Sequence, residues 1–398
     1  MSSKRDPTAF LKDEYNELVK QALDWRLREL QGPSSPRAMV DNKEVIMLCS
    51  NNYLGLSNHP KLKQAAIDAI KTHGVGSGSV RPIAGNMDLH EELERRLAQF
   101  KGAEASLVYQ TGFAANAGLI PQLVGKGDLI ISDELNHGSI IDGVRLTRAE
   151  RAIFKHADTP DLGRVLDEAK KKEYRRILVI TDGVFSMDGD IAPLDQIVKI
   201  CKPHGAMIYV DDAHGEAVLG EGGRGIVSHF KLTHKDVHVE MGTFSKAFGV
   251  VGGHVSGSEY LRKFAYNKSR TWLLSGSHPP PVAAACIAAI DILENEPKHV
   301  ENLWKNRAYF IGAMSDLGFN TGMSETPIIP VMIGESDAAQ KFSVRLFEEG
   351  VFALPIVYPM VARGTARIRV MMNAALTKDD LNGAITAFDK VGKELNII

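Results

Sequence analysis

Residues 177–211 read ILVITDGVFSMDGDIAPLDQIVKICKPHGAMIYVD, and the alternation inside this stretch decides the fold. Ile177–Thr181 and Met207–Asp211 are short apolar runs rich in strand-forming residues, and a segment of helical length lies between them. Two strands joined by a helix favour a parallel pairing. Working outward, the same pattern recurs at Ser106–Tyr109, Leu129–Ser132, Ala152–Phe154, Val237–Met241 and Gly252–Ser256. Helix-like segments of roughly ten to fifteen residues separate most of these runs. The expectation is an α/β protein with a mostly parallel, seven-stranded sheet covered by helices on both faces.

The flanks read differently. Residues 8–31 carry Phe10, Leu11, Tyr15, Leu18, Val19, Ala22, Leu23 and Leu27 at helical spacing, ending at Gly32-Pro33. A short strand at Val45–Leu48, a polar turn at Ser50–Tyr53, a helix opened by His59-Pro60 and a glycine-rich loop (Gly74, Gly76, Gly78, Gly85) follow. After residue 280, two long helical stretches lead to strand-like Ile328–Ile333, a helix over 336–349, strand-like Arg367–Met372 and a closing helix from Thr377. The division expected is an N-terminal segment 1–59, a large domain 60–296 and a small C-terminal α+β domain 297–398.

Composition narrows the function. The formal net charge of −2 supplies no basic field for nucleic acid or anionic membrane. No run approaches the roughly 20 apolar residues that span a bilayer. Residues 1–7, Met-Ser-Ser-Lys-Arg-Asp-Pro, resemble neither a secretory signal nor a transit peptide, so a cytoplasmic location is expected. Cys49, Cys201 and Cys286 are far apart and show no metal-binding spacing; no metal is expected.

Five short segments carry candidate chemistry. In Gly242-Thr-Phe-Ser-Lys246 a lysine follows a strand and precedes an apolar, glycine-rich stretch. Desolvation there lowers the pKa and frees a neutral amine for imine formation; a surface charge is the alternative. Asp211 ends a strand at the carboxyl edge, where open α/β sheets bind ligands. Beneath a pyridine-type nitrogen its carboxylate would keep the ring protonated as an electron sink; a helix cap or a surface ion pair is the alternative. His214 is three residues on.

Gln110-Thr-Gly-Phe-Ala-Ala-Asn116 opens a helix directly after a strand, either as an anion site suited to phosphate or as a plain N-cap. Thr243 offers a second hydroxyl. His137, after another strand, is either structural or a flat ring for stacking. Arg367 and Arg369 share one strand face, one as a surface residue and the other as a carboxylate clamp.

Together these segments resemble the α-oxoamine synthases, a family of fold-type I pyridoxal-phosphate transferases. The likeness runs from about Ser50 to the C-terminus. It rests on Ser50–Gly55, Gly76–Arg81, Asp133–His137, Thr181–Gly189, Val210–His214 and Gly242–Lys246. The resemblance implies pyridoxal 5′-phosphate held by Lys246 as a Schiff base, His137 stacked on the ring, and Asp211 on the ring nitrogen. Ser186 and His214 are implied at the phenolic oxygen, and Thr111, Gly112, Phe113 and Thr243 at the phosphate. Ser275 and Ser277 are implied to reach the phosphate of the partner in a homodimer, with active sites at the subunit interface. Asn51 and Arg369 would take the amino-acid carboxylate, and Lys246, His137, Asp211 and His214 would carry the catalysis.

The implied reaction joins an amino acid to an acyl-CoA. Val80-Arg81 and Phe185–Asp190 look most like glycine C-acetyltransferase, so glycine and acetyl-CoA are the favoured substrates. The runners-up are 8-amino-7-oxononanoate synthase, taking alanine and a pimeloyl thioester, and a soluble serine palmitoyltransferase. A CoA-independent lyase or aldolase on the same scaffold is the rival enzyme class; a ligand-sensing regulator would need a DNA-binding module that the N-terminal residues do not offer. The sequence departs from the family at Leu376-Thr377 and Gly85-Asn86, with consequences expected for substrate preference.

Overall fold

A computed structural model describes residues 6–21, 23, 24 and 27–398. Strands are numbered along the chain: β1 (Leu30–Gln31), β2 (Arg37–Val40), β3 (Lys43–Met47), β4 (Ala105–Tyr109), β5 (Leu129–Asp133), β6 (Glu150–Phe154), β7 (Ile177–Asp182), β8 (Met207–Asp211), β9 (Val239–Thr243), β10 (Gly253–Gly257), β11 (Ile328–Gly334), β12 (Val351–Phe352), β13 (Leu354–Ile356) and β14 (Ala366–Met371). β4 to β10 form one seven-stranded sheet, as expected from the alternation, and its order is β4-β10-β9-β8-β7-β5-β6. Only β10 runs antiparallel to its neighbours.

The sheet is buried on both faces because its strands are apolar on both. One face carries Val108, Leu129, Ile131, Val179, Ile208 and Val210, packed with Leu97 and Phe100 of the helix Asp88–Lys101 and Ile290 of the helix Pro280–Asn295. The other carries Leu107, Ile130, Ile180, Tyr209, Val239 and Met241, packed with Leu119 and Ile120 of the helix Gly112–Leu123 and Ile140 of the helix Gly138–Arg145. Parallel register sets Asp182 beside Asp211 and Asp211 beside Met241; across the antiparallel pair, Thr243 faces Gly253. The carboxyl ends of the central strands therefore lie level, and their loops converge.

The C-terminal part packs a three-stranded sheet, β11-β14-β13, against the helices Ser336–Glu348 and Lys378–Glu394. β12 pairs in parallel with β3, so a four-stranded sheet draws strands from both ends of the chain. No helix among the described residues is long and apolar enough to cross a membrane.

Three expectations are corrected. The first helix is Ala9–Lys20 and does not reach residue 31. It buries none of its residues, so no packing extends the helical spacing, and Leu30–Gln31 pairs with Met39–Val40 instead; Ala22 lies outside the described residues. The strand placed at Val237–Met241 begins at Val239, because Asp236 and Val237 donate their backbone N–H groups into a turn at Thr233. Neither arginine of β14 is a surface residue. Arg367 is buried and ion-paired with Asp188, while Arg369 is half-buried.

Candidate active site at the carboxyl edge of the sheet

A cavity of about 240 Å³ lies at the carboxyl edge, lined by Thr111, Gly112, Phe113, His137, Ser139, Asp182, Ser186, Asp211, Ala213, His214, Met241, Thr243, Ser245 and Lys246. Nine residues singled out in the sequence (Thr111, Gly112, Phe113, His137, Ser186, Asp211, His214, Thr243 and Lys246) are brought together here from five separate strand-to-loop junctions.

Lys246 follows β9 on a turn closed by the N–H of Gly249 donating to its carbonyl at 3.0 Å. Burial pushes its ammonium down to about 8, against the opposing pull of Asp211 and Asp182. The amine is thus neutral in a sizeable fraction near physiological pH, as imine chemistry needs. Asp211 is buried at the end of β8. Its Oδ2 accepts from Asn116 Nδ2 at 2.8 Å and its Oδ1 from the Ala213 N–H at 3.1 Å. Asn116 is itself fixed by Tyr209, whose hydroxyl donates to Asn116 Oδ1 at 2.7 Å. Asn116 and Tyr209 set the carboxylate's orientation; the sequence reading quoted both and assigned a role to neither.

His137 stands at the rim and caps the helix Gly138–Arg145. Its backbone N–H donates to Asp182 Oδ2 at 2.6 Å, and its Nδ1 is 2.8 Å from the Ser139 hydroxyl. Enclosure and the charge on Lys246 lower its pKa, while Asp211 works in the opposite direction. Asp182, within the Thr181–Gly189 segment, lines the cavity without a role assigned from sequence. Burial first, and Asp211 beside it, raise its carboxyl well above the ordinary range.

His214 is buried, and burial together with the charges of Lys246 and Arg369 holds it well below 6.5, so it is neutral. Its Nδ1 lies 2.7 Å from the hydroxyl of Tyr53, a residue of the Ser50–Gly55 segment to which the sequence assigns no role of its own.

Thr111 acts as the N-cap of the helix Gly112–Leu123, accepting from the Ala114 N–H at 3.0 Å. Thr111 and the first two residues of the capped helix, Gly112 and Phe113, line the cavity. Two glycines keep this corner open. A Cβ on Gly253 would stand 2.5 Å from the backbone N of Gly112, and one on Gly112 would stand 3.3 Å from Thr243 Cβ. Thr243 Oγ1 is already engaged, donating to the Gly252 carbonyl at 2.7 Å and so accepting from the Ser245 hydroxyl at 2.7 Å.

Four expected residues lie outside this lining. Arg369 donates to the Ser186 carbonyl at 3.2 Å, and its charge is felt by Lys246 and His214. Asn51 has a buried Oδ1 with no hydrogen-bond partner among the described residues. Ser275 and Ser277 sit in a loop against Ser77–Val80, where the Ser277 N–H donates to Ser79 O at 3.0 Å. A second cavity of about 480 Å³ shares His137, Asp182 and Ser186 with the first and extends past Phe185 and Met187 to Met360 and Val361.

The segments that pointed to a substrate branch are partly structural. Arg81 is buried and paired with Glu94 at 2.8 Å, and its Nε donates to Asn86 Oδ1 at 2.5 Å, so both Val80-Arg81 and the Asn86 departure serve an internal ion pair. Leu376 is buried and Thr377 caps the last helix in a box with Asp380. None of these residues lines either cavity.

Comparison with known proteins agrees with this geometry. A family described as aminotransferase class I and II matches residues 43–388. The chain is 54% identical over 391 residues to an 8-amino-7-oxononanoate synthase of Symbiobacterium thermophilum, covering 98% of this chain and 99% of that one. It is 55% identical over 389 residues to the protein of the same name from Thermoanaerobacter pseudethanolicus, covering 98% of each. Among solved structures, a serine palmitoyltransferase of S. paucimobilis with bound PLP–myriocin aldimine superposes with a TM-score of 0.92 at 30% identity, covering 99% of this chain and 100% of that one.

Proposed function

The chain belongs to the aminotransferase class I and II family and, within it, to the α-oxoamine synthases; on that premise we propose that it condenses alanine with a pimeloyl thioester to 8-amino-7-oxononanoate, releasing carbon dioxide and the thiol. This replaces the preference for glycine and acetyl-CoA. The relatives above, matched over nearly the whole chain, carry the name of the former runner-up, and Arg81, one support of that preference, is an internal ion-pair partner.

Pyridoxal 5′-phosphate is the family's coenzyme, and the residues present fit it. A lysine amine shifted to about 8, a buried carboxylate with fixed orientation and a glycine-floored helix N-terminus meet in one cavity. That convergence carries the reading. Lys246 would hold the coenzyme through its amine, Asp211 would meet the ring nitrogen, and His137 would lie on the ring. Ser186 and His214 would face the phenolic oxygen, and Thr111, Gly112, Phe113 and Thr243 the phosphate. When bound, the coenzyme supplies a protonated ring that accepts the electrons left when a bond to the substrate α-carbon breaks.

The chain's own groups do the rest. Arg369 and Asn51 receive the amino-acid carboxylate and fix the α-carbon. Lys246 Nζ, once released, takes the α-proton as a general base, a role typically worth 10²–10⁴-fold. His137, at the rim, donates to the oxygen of the acyl group as negative charge develops there. The second cavity, with its apolar wall of Phe185, Met187, Met360 and Val361, excludes water from the thioester. A homodimer is the proposed active unit, with Ser275 and Ser277 serving the partner's site.

A grid of glycine, alanine and serine against acetyl-, pimeloyl- and palmitoyl-CoA, read by free thiol and product mass, tests the proposal. Alanine with pimeloyl-CoA is expected to exceed every other pair. Dominance of serine with palmitoyl-CoA would favour the second reading, to which the structural match to serine palmitoyltransferase lends support. Amino-acid turnover without any thiol release would point to a lyase.

A further inference from the structure

On the sheet face opposite the cavity, one ammonium is enclosed by three carboxylates. Lys101 ends the helix Asp88–Lys101 and exposes none of its side chain. Its Nζ lies 2.7 Å from Glu240 Oε1, 3.3 Å from Asp212 Oδ2 and 3.7 Å from Glu216 Oε1. Two histidines close the cluster: His234 Nε2 is 2.9 Å from Glu240 and His254 Nε2 is 2.7 Å from Glu216. Burial opposes the charge on Lys101, but the carboxylates outweigh it and raise the pKa. Burial likewise pushes Glu240 up, yet Lys101 and His234 bring it down to about 2. Burial, with Glu240 and Glu216 nearby, takes Asp212 well above the carboxylate range despite Lys101. Lys101 and Glu240 are the ionised pair at its centre.

Backbone without side chains makes the room. A Cβ on Gly225 would stand 2.6 Å from Lys101 Nζ, and one on Gly242 would stand 2.5 Å from Glu216 Oε2. A buried ion cluster is seldom more stabilising than apolar residues of equal volume, so its contribution has to be sought in geometry. Strand alternation supplies the link. Asp211, Met241 and Thr243 face the cavity, so their neighbours Asp212 and Glu240 face Lys101. Asp212 and Glu216 bracket the turn that bears His214. His254, directly after Gly253, stacks on Phe244 at 5.4 Å, and Phe244 is two residues before Lys246.

We propose that Lys101 is a positioning residue: by binding Asp212, Glu216 and Glu240 together, it holds the Asp211–His214 turn and the end of β9 in the alignment the cavity requires. The proposal rests on Asp211 and His214 facing the coenzyme.

Lys101→Met removes the cation that three buried carboxylates share and is expected to lower Tm, so the informative partner is Lys101→Met/Glu240→Gln, which removes the ionised pair as a unit. In holoenzyme normalised to bound coenzyme, the double variant is expected to lose about tenfold or more in kcat, with the amino-acid KM changed less than about twofold. The pH midpoint of its absorption at about 420 nm, the band of a protonated imine, should move by roughly half a unit or more. Wild-type kcat and midpoint in the folded double variant would overturn the proposal, leaving the cluster a purely structural one. Loss of fold in both variants would overturn it equally, because no separable role would then exist. Asp211→Asn, run alongside, should also move the midpoint; if it does not, the reading of the site fails and the proposal falls with it.

Discussion

The Tyr53 hydroxyl lies 2.7 Å from His214 Nδ1, a bond that spans 161 residues of sequence and ties the loop after β3 to the turn after β8. Burial holds the phenol protonated and the imidazole neutral. Two neutral groups thus share one short hydrogen bond, which fixes the plane of the imidazole where His214 lines the cavity.

Tyr53→Phe removes that anchor and leaves Nδ1 buried without a partner. The expected cost is about 1–3 kcal/mol of stability. A fall of about tenfold in kcat per bound coenzyme should accompany it, because the imidazole is no longer anchored. Denaturant melts and turnover measured on the same preparation check both; unchanged turnover would remove Tyr53 from the site.

Lys246, at about 8, sets a pH profile for coenzyme capture by the apoprotein. Only the neutral amine attacks an aldehyde, so the capture rate should rise with pH to a plateau, with its midpoint near the lysine's value. Stopped-flow mixing with pyridoxal 5′-phosphate across pH 6–10 (roughly the range in which a buried lysine titrates) reads it directly. Lys246→Ala should show no imine band at any pH.

Gly253→Ala places a methyl group 2.5 Å from the Gly112 backbone N, at the helix N-terminus that floors the cavity. The expected result is a loss of about 1–3 kcal/mol and weaker coenzyme binding through displacement of the Thr111–Phe113 turn. Equilibrium dialysis against pyridoxal 5′-phosphate measures the second effect, and wild-type affinity would show that the turn tolerates the displacement.

His156 bridges Asp133 at 3.1 Å and Asp190 at 2.9 Å, with its ring edge-on to Phe185. Burial opposes its charge, but the two carboxylates prevail and raise its pKa from 6.5 to about 10. A folded-state pKa above the unfolded one contributes stability that is complete below the unfolded value and lost as pH climbs through the folded one. Wild type should exceed His156→Gln by roughly 1.5–3 kcal/mol below pH 6.5, and the gap should close toward pH 10. A gap that does not vary with pH would mean the ring packs without its charge.

The strands of the large sheet were legible because each is a short apolar run between turn signals, and a run buried on both faces needs no partner to be recognised. Lys246, Asp211 and the Thr111–Phe113 turn were legible for a related reason: each directly follows such a run, and the loops after parallel strands meet at one edge. The first helix was overextended, since helical spacing at Leu23 and Leu27 does not say whether a second surface exists to bury that face.

The sequence by itself therefore determined where the strands lie along the chain, that most of them run parallel, the edge at which chemistry gathers, and the residue types delivered there. These follow from periodicity and turn chemistry, which act within a few residues. Tertiary structure alone decided that Tyr53 orients His214, that Asn116 orients Asp211, that Arg81 and Arg367 serve internal ion pairs, and that Lys101 gathers three carboxylates beneath the site. Most of these partners are far apart in the chain. Register and packing bring them together, and hydrogen bonds and ion pairs of 2.5–3.5 Å depend on distances that spacing along a sequence does not encode.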